Sequence, residues 1–144
     1  MTAHAAAGKT VRGGTFRVEE YERVISHDAL AAPPLEPPLL HPVWTILGAL
    51  RGMGTDLADV FALVDASEEG TLFGEAELEQ LRPLRAGVKY AVRGGVTDVV
   101  RREGRRAGAF DVLTLRLEIV EPGGEPAAVV TQAFIIPRGQ DAHA

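Results

Sequence analysis

The sequence predicts a two-layer α+β fold in which a curved antiparallel sheet wraps around one central buried helix. Residues 39 to 54, LLHPVWTILGALRGMG, are apolar on nearly every face of a helix. Beyond residue 70 the hydrophobic period drops from about 3.6 to about 2, the mark of strands. Four such segments then follow with turn residues between them and no helical pattern to interrupt them.

In the central helix Val43, Ile46, Leu47, Leu50 and Met53 stand at i, i+3, i+4, i+7 and i+10, so this aliphatic face is expected in the core. Thr45, Gly48, Ala49 and Gly52 share another face, small enough for a second backbone or a long thin ligand to lie against it. Pro42 suits the first helical position, where its φ is already helical and no intrahelical N–H bond is lost.

Residues 1 to 14 are small and polar and end in Gly13-Gly14, so they are expected to be a flexible tail. A single domain is expected over residues 15 to 138, with a second tail at 139 to 144. Residues 15 to 18 suit a short strand. Residues 19 to 27 suit a short amphipathic helix through Tyr21, Val24 and Ile25, with Glu19 and Glu20 placed for its N-terminal dipole. Residues 28 to 42 hold Pro33, Pro34, Pro37, Pro38 and Pro42 and must be an extended loop. Leu57, Val60, Phe61 and Val64 give a weaker helix over 55 to 65. Strands are expected over 75 to 82, over 88 to 102 with Gly94-Gly95 as a bulge or bend, over 110 to 120, and over 127 to 136. The third of these alternates Leu113, Leu115, Leu117 and Ile119 with Val112, Thr114, Arg116 and Glu118, so one face is buried. Such a sheet leaves open edges, which a dimer would pair.

The chain has 144 residues, 46% of them hydrophobic, enough to bury a core without crosslinks. Without cysteine, disulfide and thiolate chemistry are excluded and a cytoplasmic location is expected. No apolar run reaches the ~20 residues of a membrane span, and no signal peptide is expected. His4, His27, His41 and His143 lack metal-ligand spacing. The net charge is -5, yet residues 82 to 106 hold eight Lys or Arg against Asp98 and Glu103. An acidic chain with only Phe73 and Tyr90 near that basic region does not suit nucleic acid.

The apolar helix behind a Pro-rich loop, followed by RPLRAGVKYAVRGGVTDVVRREG and FDVLTLRLEIVEPGGEPAAVVTQAFIIPR, resembles the MaoC-like (R)-specific hydratases and dehydratases of the hot-dog fold. The resemblance covers most of residues 15 to 138. Pro83-Leu84-Arg85-Ala86-Gly87 looks like the family's Pro-x-x-x-Gly-Asp turn, with Val88 where Asp is usual, and Gly124-Glu125 with Thr131 fits its last hairpin. Members hydrate or dehydrate an acyl chain held as a thioester on coenzyme A or on the phosphopantetheine of an acyl carrier protein. The resemblance implies no other cofactor and no metal.

Catalytic members carry Asp-x-Asn-Pro-hydrophobic-His. Here the corresponding stretch is Asp28-Ala29-Leu30-Ala31-Ala32-Pro33, so Asp28 matches while Leu30 replaces Asn and Pro33 replaces His. Proline exchanges no proton, and this degenerate motif supplies no acid–base pair. The chain therefore resembles the non-catalytic subunit of heteromeric members, in which a MaoC-like partner supplies the catalytic Asp and His of the hydro-lyase. His41, before the helix N-terminus, is then a candidate for thioester binding, or merely closes the loop onto the helix. Thr45, Gly48, Ala49 and Gly52 are candidates for lining the acyl tunnel with Trp44 at its mouth, the alternative being tight helix-to-sheet packing. Arg101, Arg102, Arg105 and Arg106, with Arg82, Arg85, Lys89 and Arg93 before them, either hold phosphates or an acidic carrier or form a solvated strand end. Two other functions stay open: a hot-dog thioesterase using Glu36, or Asp56 across a dimer, and a non-enzymatic acyl-binding homodimer.

Overall fold

A computed structural model describes residues 5 to 33, 35 to 106 and 108 to 139. Its elements are β1 (Gly14–Phe16), α1 (Glu20–Ala29), α2 (Val43–Gly52), α3 (Leu57–Ala62), β2 (Leu72–Gln80), β3 (Tyr90–Gly104), β4 (Gly108–Val120) and β5 (Pro126–Pro137). The strands form one antiparallel sheet in the order β1-β3-β4-β5-β2, and α2 packs on it, touching every strand. The enclosed-helix architecture is the one expected. On β4 the alternation holds residue by residue: Leu113, Leu115, Leu117 and Ile119 are fully buried. Each such side chain contributes about 1.5–3 kcal/mol.

The seating of α2 is the reverse of the expectation. Its buried face is Trp44, Thr45, Gly48, Ala49 and Gly52, while Leu47 is 45% exposed and Val43, Ile46 and Leu50 are half-buried. Met53 alone of the aliphatic face is buried. The reason is distance of approach. A Cβ at Gly48 would overlap the Phe16 ring, and one at Gly52 would stand 2.7 Å from Val92 Cγ2 and 3.0 Å from Phe16 Cδ1. The small face lets α2 settle directly onto β1 and β3, and close-packed contact along a whole helix outweighs the burial of a few larger side chains held farther off.

The orientation of α1 is reversed too. Tyr21, Val24 and Ile25 are 65%, 52% and 62% exposed, whereas Arg23 and His27 are buried. Arg23 is neutralised by two-pronged bonding to Glu20, with Nη2 to Oε1 at 2.6 Å, so its stem packs inward without an unpaired charge.

Residues 6 to 13, before β1, are no tail. Ala6 is buried, and Gly8 N–H donates to Val96 O, Val96 N–H to Lys9 O, Val11 N–H to Gly94 O and Gly13 N–H to Met53 O, at 2.7 to 2.9 Å. Gly95 allows this, because a Cβ there would lie 2.5 Å from Thr10 Cα. The glycine pair thus admits a crossing chain, and the register shift of β3 comes later, between Val96 and Asp98. The domain accordingly starts earlier than residue 15; the expected tails at 1 to 4 and 140 to 144 lie outside the described residues. At β2 the strand starts at Leu72, earlier than expected, and stops at Gln80, because the N–H groups of Leu81 and Arg82 both turn to Ala127 O.

One buried charge ties three elements together. Asp111 extends the inward face of β4 and accepts from Arg101 Nε at 2.5 Å and Arg138 Nε at 3.0 Å. Arg138 also donates to the carbonyls of Val64 and Asp65, just beyond the C-terminal end of α3, where a cation suits the helix dipole. Burial pushes the Asp111 carboxyl up, but the bonds from Arg101 and Arg138 prevail and hold it below the usual carboxylate range.

Two predictions follow from these contacts. Gly48→Ala, which in an open helix would gain up to about 1 kcal/mol, should instead cost about 1–3 kcal/mol through overpacking; denaturant unfolding measures it, and Phe16→Leu in the same chain should recover part of the loss. Asp111→Asn should lower stability by about 2 kcal/mol at neutral pH. Because the native carboxyl lies below its unfolded value of ~3.9, its contribution is complete above that value and disappears as pH falls through the native one. Melting curves of the two proteins should therefore converge in acid.

Candidate functional site

The degenerate motif lies at the C-terminal end of α1 and in the loop beyond it. Leu30 caps the helix, its N–H donating to Ser26 O at 3.0 Å, and its side chain is 46% exposed. Asp28 and Pro33 are also exposed. Val24, Ile25, His27, Asp28, Ala31 and Ala32 line an open hollow of about 500 Å³. Among the described residues its titratable groups are His27 and Asp28. The His27 ring is buried with Nε2 unpartnered, and the His41 ring stands edge-on with centroids 6.0 Å apart.

The N-terminus of α2 is already satisfied from within. Val43 N–H donates to His41 Nδ1 at 3.0 Å, Trp44 N–H to His41 O at 3.0 Å and Thr45 N–H to Pro42 O at 2.9 Å. With Nδ1 accepting, the neutral His41 ring carries its proton on Nε2. Of the two expected roles, His41 therefore shows the loop-closing geometry, and a thioester oxygen would have to displace it to reach the first N–H.

Trp44 is buried. Its indole Nε1–H donates to Ser26 Oγ at 2.9 Å, Ser26 Oγ donates to Arg23 O at 2.9 Å, and the Arg51 guanidinium lies 5.0 Å from the ring centroid while pairing with Glu22 at 2.9 Å. This chain of contacts clamps α1 to α2. Gly48 and Gly52 are filled by Phe16 and Val92, and Ala49 is fully buried, so this face is packed as the alternative had it. Thr45 Oγ1 and the Gln132 amide are buried and have no hydrogen-bond partner among the described residues.

The arginines are not gathered to His41. Arg101 is engaged by Asp111, and Arg102, Arg105 and Arg106 are exposed at the β3–β4 hairpin. Leu39 and Leu40 bond to the chain around Arg85, before β3 begins, so about 40 Å of strand contour separates the two regions. For the thioesterase reading, Asp56 caps α3 by accepting from Asp59 N–H at 2.9 Å, and Glu36 is exposed in the loop. Among the described residues no three potential metal ligands cluster, and no helix is long and apolar enough to cross a membrane. Sequence reasoning missed Phe16, Ser26 and Asp111. Only Asp111 was signalled, as a charge at an inward position of the β4 alternation.

No protein-family model and no curated protein matches the chain. Solved structures do. The chain is similar to a C-terminally truncated HadBC (3R-hydroxyacyl-ACP dehydratase) complex from Mycobacterium tuberculosis, with TM-score 0.70 and 17% identity over 90% of this chain and 96% of that one. It is similar to the ChsH1–ChsH2 complex of the same organism, with TM-score 0.69 and 15% identity over 92% and 84%. A MaoC-like dehydratase from Rhodospirillum rubrum gives 0.53 and 17% over 92% of each chain. At such identities the likeness is one of fold: the chain has the hot-dog fold, and its neighbours include MaoC-like dehydratases and heteromeric hot-dog complexes.

The α1–α2 clamp is testable by a double-mutant cycle. Trp44→Phe and Ser26→Ala should each cost about 1 kcal/mol, and together less than their sum, because both remove one hydrogen bond. Unfolding free energies of the four proteins measure the coupling.

Proposed function

We propose that this chain is a non-catalytic subunit of a cytoplasmic heteromeric enoyl-thioester hydratase or 3-hydroxyacyl-thioester dehydratase, acting on acyl chains carried by coenzyme A or an acyl carrier protein. The observation that carries the reading is the loop after α1. In the register that the resemblance implies, it offers Leu30 and Pro33 where an amide and an imidazole are needed. Hydration of an enoyl thioester needs a base for water, an acid for the α-carbon and donors for the enolate oxygen. Asp28 alone cannot provide them, and the helix N–H groups are occupied by His41 and Pro42.

The outward seating of the helices supports a partner. Tyr21, Val24 and Ile25 on α1, Leu30 after it and Leu47 on α2 present apolar surface to solvent. A second hot-dog subunit covering these faces would bury them and bring its own Asp and His to an acyl chain lying along them. The exposed Arg102, Arg105 and Arg106 would meet the acidic carrier or the phosphates at the periphery.

The test is enoyl-thioester hydration by the pure chain, by a MaoC-like subunit with intact Asp-x-Asn-Pro-x-His encoded beside it, and by the two co-purified. The co-purified pair should exceed this chain alone by at least about 100-fold, the lower end of what a positioned acid–base pair contributes. Hydration by the pure chain, or no complex with such a subunit, would overturn the proposal.

A further inference from the structure

Arg12, Arg93 and Arg116 come together on the outer face of the sheet, away from α2. On β4, Arg116 and Glu118 alternate with the buried Leu115, Leu117 and Ile119, and on β3 Arg93 stands directly opposite Glu118. Arg12 arrives from the segment before β1, where Val11 N–H donates to Gly94 O and Gly13 N–H to Met53 O, each at 2.8 Å. With Thr10, the three arginines line an open hollow of about 370 Å³. Gly94 lies in the same lining, and a Cβ there would overlap Arg116 O, so that part of the wall is bare backbone.

One carboxylate lines this hollow among the described residues. Glu118 Oε1 accepts from Arg93 Nε at 3.0 Å and from Arg93 Nη2 at 2.5 Å, which neutralises that pair. Three guanidiniums against one carboxylate leave two positive charges, on Arg12 and Arg116. Neither forms an ion pair among the described residues, whereas Arg51, Arg82, Arg101 and Arg138 each meet a carboxylate. Across the ladder Arg116 meets only Gly95 of β3 and Thr131 of β5. Arg12 also borders a second hollow with Asp56 and Asp59, and pairs with neither. Those carboxylates accept from Asp59 N–H and Thr55 Oγ1, each at 2.9 Å. A concave, doubly positive spot on a chain of net charge -5 raises the local concentration of anions.

We propose that this hollow binds a phosphate dianion, free or as the monoester of a small metabolite. Charge and shape both select it. The two unpaired guanidiniums balance a dianion, while a carboxylate or a phosphodiester brings a single charge. A guanidinium fork engages two oxygens of a phosphate, and a tetrahedral group keeps further oxygens for a second fork and for the Thr10 hydroxyl. Arg12 belongs to the segment before β1 and Arg116 to β4, with β3 between them. One anion held by both would therefore strap that segment across β3. The site lies on the face of the sheet opposite α2 and stands or falls independently of the hydratase reading.

Thermal unfolding and amide hydrogen exchange of the full chain test it, with inorganic phosphate, methyl phosphate or dimethyl phosphate added and chloride holding the ionic strength constant. At about pH 8 the first two are dianions and the third a monoanion. Phosphate and methyl phosphate should raise the Tm saturably and slow exchange at Val11 and Gly13 severalfold. Dimethyl phosphate should bind at least about tenfold more weakly, having lost one charge. Arg12→Gln and Arg116→Gln alter exposed side chains, and their melting curves without phosphate verify the fold. Each should weaken phosphate binding about tenfold, the loss of one charge-assisted fork. Arg17→Gln, at an exposed arginine outside the hollow, should leave binding unchanged. The proposal is overturned by the absence of a saturable response, by dimethyl phosphate binding as well as phosphate, or by Arg17→Gln weakening binding as much as Arg12→Gln and Arg116→Gln.

Discussion

The closeness with which α2 approaches the sheet governs the rest of the molecule. Gly48 and Gly52 leave room for the Phe16 ring and for Val92, and Phe16 stacks in turn on Tyr90 with centroids 5.4 Å apart. Tyr90 OH accepts from Arg85 N–H at 2.9 Å, fixing the turn against which the Pro-rich loop is docked through Leu40 and Leu84. One close contact thus sets the height of the helix, its rotation and the path of the loop before it. The same rotation turns Leu47 toward solvent.

An exposed aliphatic helix face, an inverted α1 and the open outer edge of β2 are three expressions of one condition. Each element has completed its contact with the core and still carries apolar or hydrogen-bonding surface that the chain does not cover. In an isolated domain such surface favours nonspecific association.

The residues around the N-terminus of α2 are tied to one another. His41 occupies the first N–H of α2, Trp44 and Ser26 lock α1 against it, and Arg51 is held between the Trp44 ring and Glu22. These contacts fix α1 and the Pro-rich loop against α2. Among the described residues, His27 is buried beside the motif with no hydrogen-bond partner for Nε2.

The sequence by itself determined the order of elements, the buried face of β4 and the central helix, because strand alternation and helical spacing are local properties of the chain. It did not determine which face of α2 or α1 points inward. Periodicity shows that a helix has distinct faces, but large aliphatic residues are favoured inside only when nothing packs more closely, and the fit of Phe16 into the Gly48 and Gly52 face is a contact between elements far apart along the chain. The course of residues 5 to 14 over Gly95, the occupation of the α2 N-terminus by His41 and the separation of the arginines from it were likewise decided by tertiary structure, since each depends on distances that no spacing along the chain encodes.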